Sequence, residues 1–218
     1  MKNKKGLIIF DLDGTLYSYG EKVFEKSFLG LEVKKNIIDL IKRLEDCDEK
    51  KAIKKYSKLK AEFGENFSVA FENRYSIKRL DYFKEVWNIN ADNYLKASFN
   101  LKKLLLDLSA NYVLVLLSDA PGVWISSAIK TLGVKNIFTK IYSGETNIRK
   151  NNFRAFEVVK TDFPKMKKYI SVGDQETTDI IPAKKIGMIT VLIAARNNNQ
   201  NADYEINSVL DLVKIKCF

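Results

Sequence analysis

Two aspartates, Asp11 and Asp13, stand one residue apart at the end of the apolar run Leu7 to Phe10, with Gly14 directly behind them. The run has the length of a buried strand, and on an extended chain alternate residues face the same way, so both carboxylates point to one side. Gly14 then lets the backbone turn. The carboxyl end of a buried parallel strand is where open α/β sheets place their ligands. Two adjacent carboxylates repel each other unless a cation sits between them, and a hard, oxygen-seeking ion such as Mg²⁺ is the simplest candidate. That combination points to phosphate chemistry. The tetrapeptide Asp-Leu-Asp-Gly also reads, by itself, as a polar turn closing a strand. It is not a calcium loop of the EF-hand type, which needs its glycine two positions later and a Glu where this chain has Lys22.

The elements that must position this pair follow from composition and pattern. The 218 residues are 46% hydrophobic, enough to bury a core in one large domain or in a domain with an insertion. The chain has no histidine, which removes Ser-His-Asp and Cys-His catalysis, phosphohistidine enzymes and His-containing zinc sites together. Any acid or base must be a carboxylate, a lysine or a tyrosine. Cys47 and Cys217 lie far apart, so neither a disulfide framework nor a zinc knuckle is supported. The basic start, Met1 to Lys5, leads into an apolar run that meets two acids after Phe10, unlike a signal peptide, and Met188 to Ala195 is too short to span a membrane. A cytoplasmic location is expected. The net charge of +10 is spread over stretches such as Lys34 to Lys60, where lysines alternate with acids as on a solvated helical face.

From Tyr17 to about Asp92 the pattern is helical. Val33, Ile37, Leu40, Ile41 and Leu44 recur at helical spacing, and Ile53, Tyr56, Lys60 and Phe63 continue it up to Gly64. Phe67, Phe71, Tyr75, Leu80, Phe83 and Trp87 then form an aromatic stripe of the kind that fills a small bundle. After about Ala91 strands and helices alternate. Leu101, Leu104, Leu105 and Leu108 share a helical face, Tyr112 to Leu117 is a buried strand, and Val123 to Leu132 is a helix ended by Gly133. Strands near Ile137 to Tyr142, Tyr169 to Val172 and Met188 to Ile193 follow, with helices near Phe153 to Val159 and Ile180 to Ile186 between them. The fold class is therefore α/β, a doubly wound parallel sheet with an inserted α-helical cap. The expected division is a discontinuous core, residues 1–16 and 93–218, and a cap, residues 17–92, able to close over the crevice.

Four motifs in order carry a resemblance. The strand ending in Asp11-Leu12-Asp13-Gly14-Thr15-Leu16, the strand ending in Ser118-Asp119, Lys150 three residues before Phe153, and the strand leading to Gly173-Asp174 with Asp179 beyond it resemble the haloacid dehalogenase superfamily of aspartate-nucleophile phosphatases. Two departures stand out: Asp119 replaces the usual Asn, and Asn151 replaces the proline common after the lysine.

The resemblance implies that Asp11 is the nucleophile, that Asp13 is the general acid and base, and that Ser118 and Lys150 hold the transferring phosphoryl group. It implies Mg²⁺ bound by Asp11, Asp174 and the backbone carbonyl of Asp13, with Asp179 orienting Lys150 or metal-bound water. Gly14, Thr15, Tyr17 and Asp119 are the expected substrate contacts, with Tyr19 nearby, while Glu176 has no assigned part. Dehalogenases of the superfamily do not use the second acid, so Asp13 favours phosphoryl transfer. The expected activity is Mg²⁺-dependent hydrolysis of a small phosphorylated metabolite, with no nucleic-acid or membrane partner. A phosphomutase of the same superfamily, or a non-catalytic basic nucleic-acid-binding protein, is the alternative.

Overall fold

Gly6–Phe10 forms the first strand, β1, and every one of its residues is buried. A strand apolar on both faces belongs inside a sheet covered on both sides. Five more strands join it in the computed structural model: β2 (Tyr112–Leu117), β3 (Lys140–Tyr142), β4 (Tyr169–Gly173), β5 (Ile189–Ile193) and β6 (Tyr204–Ile206). All pair in parallel, in the order β3-β2-β1-β4-β5-β6. The chain thus works outward from β1 to β3 on one side, then returns to lay β4 against the other flank of β1. The order reverses between β1 and β4, the point at which a doubly wound sheet opens a crevice.

The structure describes residues 4–21, 23–145, 149–150, 152–194 and 201–215. Two compact units divide the chain: Met1–Ser18 with Leu95–Phe218, and Tyr19–Tyr94.

The second unit is helical. Helix α1 (Phe28–Glu45) opens with the Ser27 side chain accepting from the Gly30 amide and ends at Asp46 in the left-handed conformation. Helix α2 (Glu49–Phe63) opens under the Asp48 carboxylate and stops at Gly64. Helices α3 (Phe67–Tyr75) and α4 (Arg79–Val86) complete the unit. Its interior is built from Val33, Ile37, Leu40, Ile41, Ala52, Leu59, Phe67, Phe71, Tyr82, Phe83 and Val86. Leu44, Ile53 and Leu80, which the spacing assigned to that interior, are exposed. In α2 the inward line runs through Ala52 and Leu59, seven residues apart, and Ile53 stands one residue, about 100°, off that line.

In the first unit, helix α5 (Phe99–Asn111) is capped by Ser98 and leads directly into β2. Helix α6 (Gly122–Thr131) follows β2, α7 (Arg154–Asp162) precedes β4, and α8 (Ile181–Lys185) precedes β5. One face of the sheet presents Leu7, Ile9, Val113, Val115 and Leu117, which pack with Ala155, Phe156 and Val159 of α7 and with Ala183 and Met188. The intervening residues Ile8, Phe10, Leu114 and Leu116 point to the other face and are equally buried. Each such side chain contributes about 1.5–3 kcal/mol when fully buried, so the sheet that carries the strand-end acids is anchored on both sides.

Three details depart from the sequence reading. β3 begins only at Lys140, because Ile137 donates to the Val134 carbonyl in a turn. A π-helical turn occupies Glu176–Ile180 before the short α8, whose first turn holds Pro182. β6 is an edge strand of three residues, too short to leave a periodic signal. No helix among the described residues is long and apolar enough to cross a membrane.

Candidate active site

Asp11 is the first residue beyond β1 and Asp174 the first beyond β4. The two strands are neighbours with Phe10 opposite Val172, and the Asp11 amide donates to the Val172 carbonyl at 3.0 Å. Register alone therefore sets the two carboxylates beside each other where the strand order reverses. Lys150, from the loop between β3 and α7, reaches this point with its ammonium 2.5 Å from Asp11 Oδ1 and 2.6 Å from Asp179 Oδ1. Lys150, Asp11 and Asp179 are all buried.

Each carboxylate in this group is further held. Thr15 Oγ1 donates to Asp11 Oδ2 at 3.1 Å, and the Gln175 amide donates to Asp179 Oδ2 at 3.0 Å. The Ser171 hydroxyl secures the Asp179 carbonyl at 2.8 Å. Burial opposes the charge of Lys150, yet Asp11, Asp179 and Asp119 outweigh it and hold the ammonium well above the usual lysine range. Burial raises Asp179 despite the opposing pull of Lys150.

Asp174 is the member left over. Its Oδ1 is buried and makes no hydrogen bond. Burial, then the charges of Asp11 and Asp179, push its carboxyl up to about 8. An orphaned carboxylate oxygen in such a place costs free energy unless a ligand satisfies it. One carboxylate oxygen from each of Asp11, Asp174 and Asp179 lies within 4.8 Å of the others. A donor set of hard oxygens with net negative charge and one unmet acceptor fits a hard divalent cation. Two glycines make the cluster possible. A Cβ on Gly14, whose φ is +86°, would lie 2.2 Å from Asp174 Oδ2, and a Cβ on Gly173 would lie 2.2 Å from Asp179 Cγ.

Asp13 is outside that group. Its Oδ1 accepts from the Tyr17 hydroxyl and, at 2.8 Å, from Trp124 Nε1 of α6. Its Oδ2 lies 3.5 Å from the Ser118 hydroxyl. Burial and the neighbouring Asp11 push Asp13 up to about 6, against the pull of the Tyr17 and Trp124 hydrogen bonds. Ser118 stands at the end of β2, where its Oγ accepts from the Ala120 amide at 3.1 Å. The Asp119 carboxylate accepts from the Lys150 amide, and its carbonyl accepts from the Arg149 side chain, each at 3.1 Å. The acid in place of Asn therefore ties the lysine loop to the end of β2.

Of the residues singled out from the sequence, the structure brings Asp11, Asp174, Asp179, Lys150 and Thr15 into one cluster, with Gly14 against Asp174; Asp13, two residues beyond Asp11, is joined by hydrogen bonds to Ser118 and Tyr17 instead. Glu176 accepts from the Asn201 side chain instead. Asn151 and Cys217 lie outside the described residues. Trp124 was not anticipated: a tryptophan among the apolar residues of a helix carries no mark of a partner in another loop.

A model of the haloacid dehalogenase-like hydrolases matches residues 8–193. The chain belongs to the haloacid dehalogenase-like hydrolases. A glyceraldehyde 3-phosphate phosphatase from Methanocaldococcus jannaschii is 25% identical, the match covering 95% of each chain. Among solved structures, a HAD phosphatase from Thermococcus onnurineus superposes with a TM-score of 0.68 at 20% identity, covering 96% of both chains. A magnesium-bound HAD-hydrolase from Bacillus subtilis superposes with a TM-score of 0.61 at 16% identity, covering 99% of this chain and all of that one. These structures share the fold. Family membership and a relative named as a phosphatase together support phosphatase activity for this HAD-like hydrolase.

Proposed function

We propose that this HAD-like hydrolase is a Mg²⁺-dependent phosphatase that cleaves a small phosphomonoester through an aspartyl-phosphate on Asp11. The observation that carries the reading is the pairing at the carboxyl end of β1: Asp11 clamped by Lys150 and Thr15, with Asp13 two residues on and held by different partners. These different partners suit Asp11 to act as the nucleophile and Asp13 as the proton carrier.

In the first step a carboxylate oxygen of Asp11 bonds to phosphorus as the bond to the leaving oxygen breaks, and that oxygen takes a proton from Asp13. In the second, Asp13 removes a proton from water, whose oxygen bonds to phosphorus as the bond to Asp11 breaks. Phosphate is released and both acids return to their starting states. Lys150 offsets charge on the phosphoryl oxygens as a compact cation, and the Ser118 hydroxyl supplies a hydrogen bond to them. Asp11, Asp174 and the Asp13 carbonyl are the groups that would hold Mg²⁺, with Asp179 keeping Lys150 in place. When bound, the ion supplies positive charge that brings the dianionic ester to an anionic nucleophile.

The helical unit Tyr19–Tyr94, with its own core, is read as a cap that selects among leaving groups. Because one relative bears the name of a glyceraldehyde 3-phosphate phosphatase, triose phosphates are the first substrates to try. The test is phosphate release across a panel of sugar, triose and nucleoside phosphates, with Mg²⁺ and with EDTA. Turnover that needs Mg²⁺ and disappears in Asp11→Asn supports the reading, and turnover that survives both changes refutes it.

A further inference from the structure

Trp124 is fully buried, yet its indole N–H does not point into the apolar interior of α6. It crosses to the loop after β1 and donates to Asp13 Oδ1 at 2.8 Å. Tyr17 donates to the same oxygen, and its ring meets that of Trp124 edge to face, with centroids 6.4 Å apart. Two donors on two elements therefore converge on one oxygen of one carboxyl group.

An indole N–H donates and cannot accept, so Oδ1 has to serve it as an acceptor whichever state the carboxyl is in. A carboxylic acid carries its proton on one oxygen and accepts with the other. Among the described residues, the one hydrogen-bond partner of Oδ2 is the Ser118 hydroxyl, at 3.5 Å, whose oxygen already accepts from the Ala120 amide. The arrangement leaves Oδ2 as the oxygen that can carry a proton and exchange it.

We propose that Trp124 and Tyr17 are positioning residues that grip Asp13 by Oδ1 and thereby commit Oδ2 to proton transfer. The inference rests on the proposed phosphatase reading. In the first step the P–O bond to the leaving group breaks, its electron pair goes to the leaving oxygen, and that oxygen receives the proton held on Oδ2. In the second, Oδ2 takes the proton from the attacking water as the P–O bond to Asp11 breaks. Without the grip, the carboxyl rotates about its Cβ–Cγ bond and the proton is presented in the wrong direction for part of the time. The loss falls where the leaving group needs the proton.

Two aryl esters of similar size separate this role from a structural one. p-Nitrophenolate leaves with little help from an acid, whereas phenolate from phenyl phosphate needs the proton. kcat/KM reports the steps up to phosphorylation of Asp11, so it is insensitive to the later attack of water. Trp124→Phe and Tyr17→Phe keep a ring and remove one donor each. In the full-length protein with Mg²⁺, each variant is expected to lose about tenfold more in kcat/KM on phenyl phosphate than on p-nitrophenyl phosphate. Equal losses on the two esters, or no loss on either, overturn the inference. If the buried Trp124→Phe does not fold, as judged by its melting curve, Tyr17→Phe decides by the same comparison. A wild type without Mg²⁺-dependent turnover of these esters overturns the proposed function, and the inference with it. Wild-type turnover with unselective variants overturns the inference alone.

Discussion

The ammonium of Lys150 lies 2.5 Å from Asp11 Oδ1, joining residues 139 positions apart in the chain. The same nitrogen is 2.6 Å from Asp179, so one buried cation compensates two buried acids. Removing one partner of such a group leaves uncompensated charge, which costs more than the group gains by being present. Lys150→Met is therefore expected to destabilise the metal-free protein by about 3–5 kcal/mol in chemical denaturation. An unchanged midpoint would show that the lysine is not buried against these acids.

The acids also set a pH dependence. Asp174 is raised from 3.8 to about 8 and Asp13 from 3.8 to about 6, burial being the first cause in both. A carboxyl with a higher pKa in the folded state binds more protons folded than unfolded, so its stabilising contribution is complete below the unfolded pKa and is lost as pH rises through the folded one. In EDTA, stability should fall by on the order of 1–3 kcal/mol between about pH 5 and pH 8. Asp162, Asp203 and Asp211 are lowered, the first and last mainly by their lysine hydrogen bonds and Asp203 by its lysine and threonine bonds against burial; their contribution is lost only in acid, outside this window. Asp174→Asn should flatten the decline above pH 6, and Mg²⁺ should restore more stability at pH 8 than at pH 5. Denaturation curves at each pH with Mg²⁺ or EDTA provide the check, and a rising curve in EDTA would contradict the assignment.

Gly14 combines a positive φ with a Cβ position 2.2 Å from Asp174 Oδ2. Gly14→Ala should cost about 1–2 kcal/mol from backbone strain alone. It should also displace Asp174, so the Mg²⁺ concentration giving half-maximal activity rises while melting of the metal-free protein changes modestly. Calorimetric titration with Mg²⁺ measures the affinity directly. Unaltered affinity would place the ion away from Asp174.

The middle of the sheet was legible because β1, β2, β4 and β5 are largely buried on both faces and so read as apolar runs, as Tyr112–Leu117 does. Asp11 and Asp174 were legible because each ends such a run. β6 was not, since three residues at an edge carry no periodicity, and neither was the late start of β3, which is decided by a turn at Val134–Ile137. Tyr17 was placed beside the substrate from its position after the motif. The structure engages its hydroxyl with Asp13, a bond that depends on how the loop after β1 folds back. Trp124 was beyond reach for the same reason: its partner is 111 residues away, and nothing local marks the pairing.

The proposed mechanism requires Asp11 to carry the phosphoryl group. In that mechanism Asp13→Asn would lack both the proton donor and the base for water, yet p-nitrophenyl phosphate would still phosphorylate Asp11 because its leaving group needs little protonation. The most direct measurement is intact mass after acid quench of Asp13→Asn incubated with Mg²⁺ and p-nitrophenyl phosphate, followed by peptide mapping. One added phosphoryl group is expected on the peptide containing Asp11, and none on an Asp11→Asn protein treated identically. A phosphoryl group on any other residue, or on the Asp11→Asn protein, would contradict it.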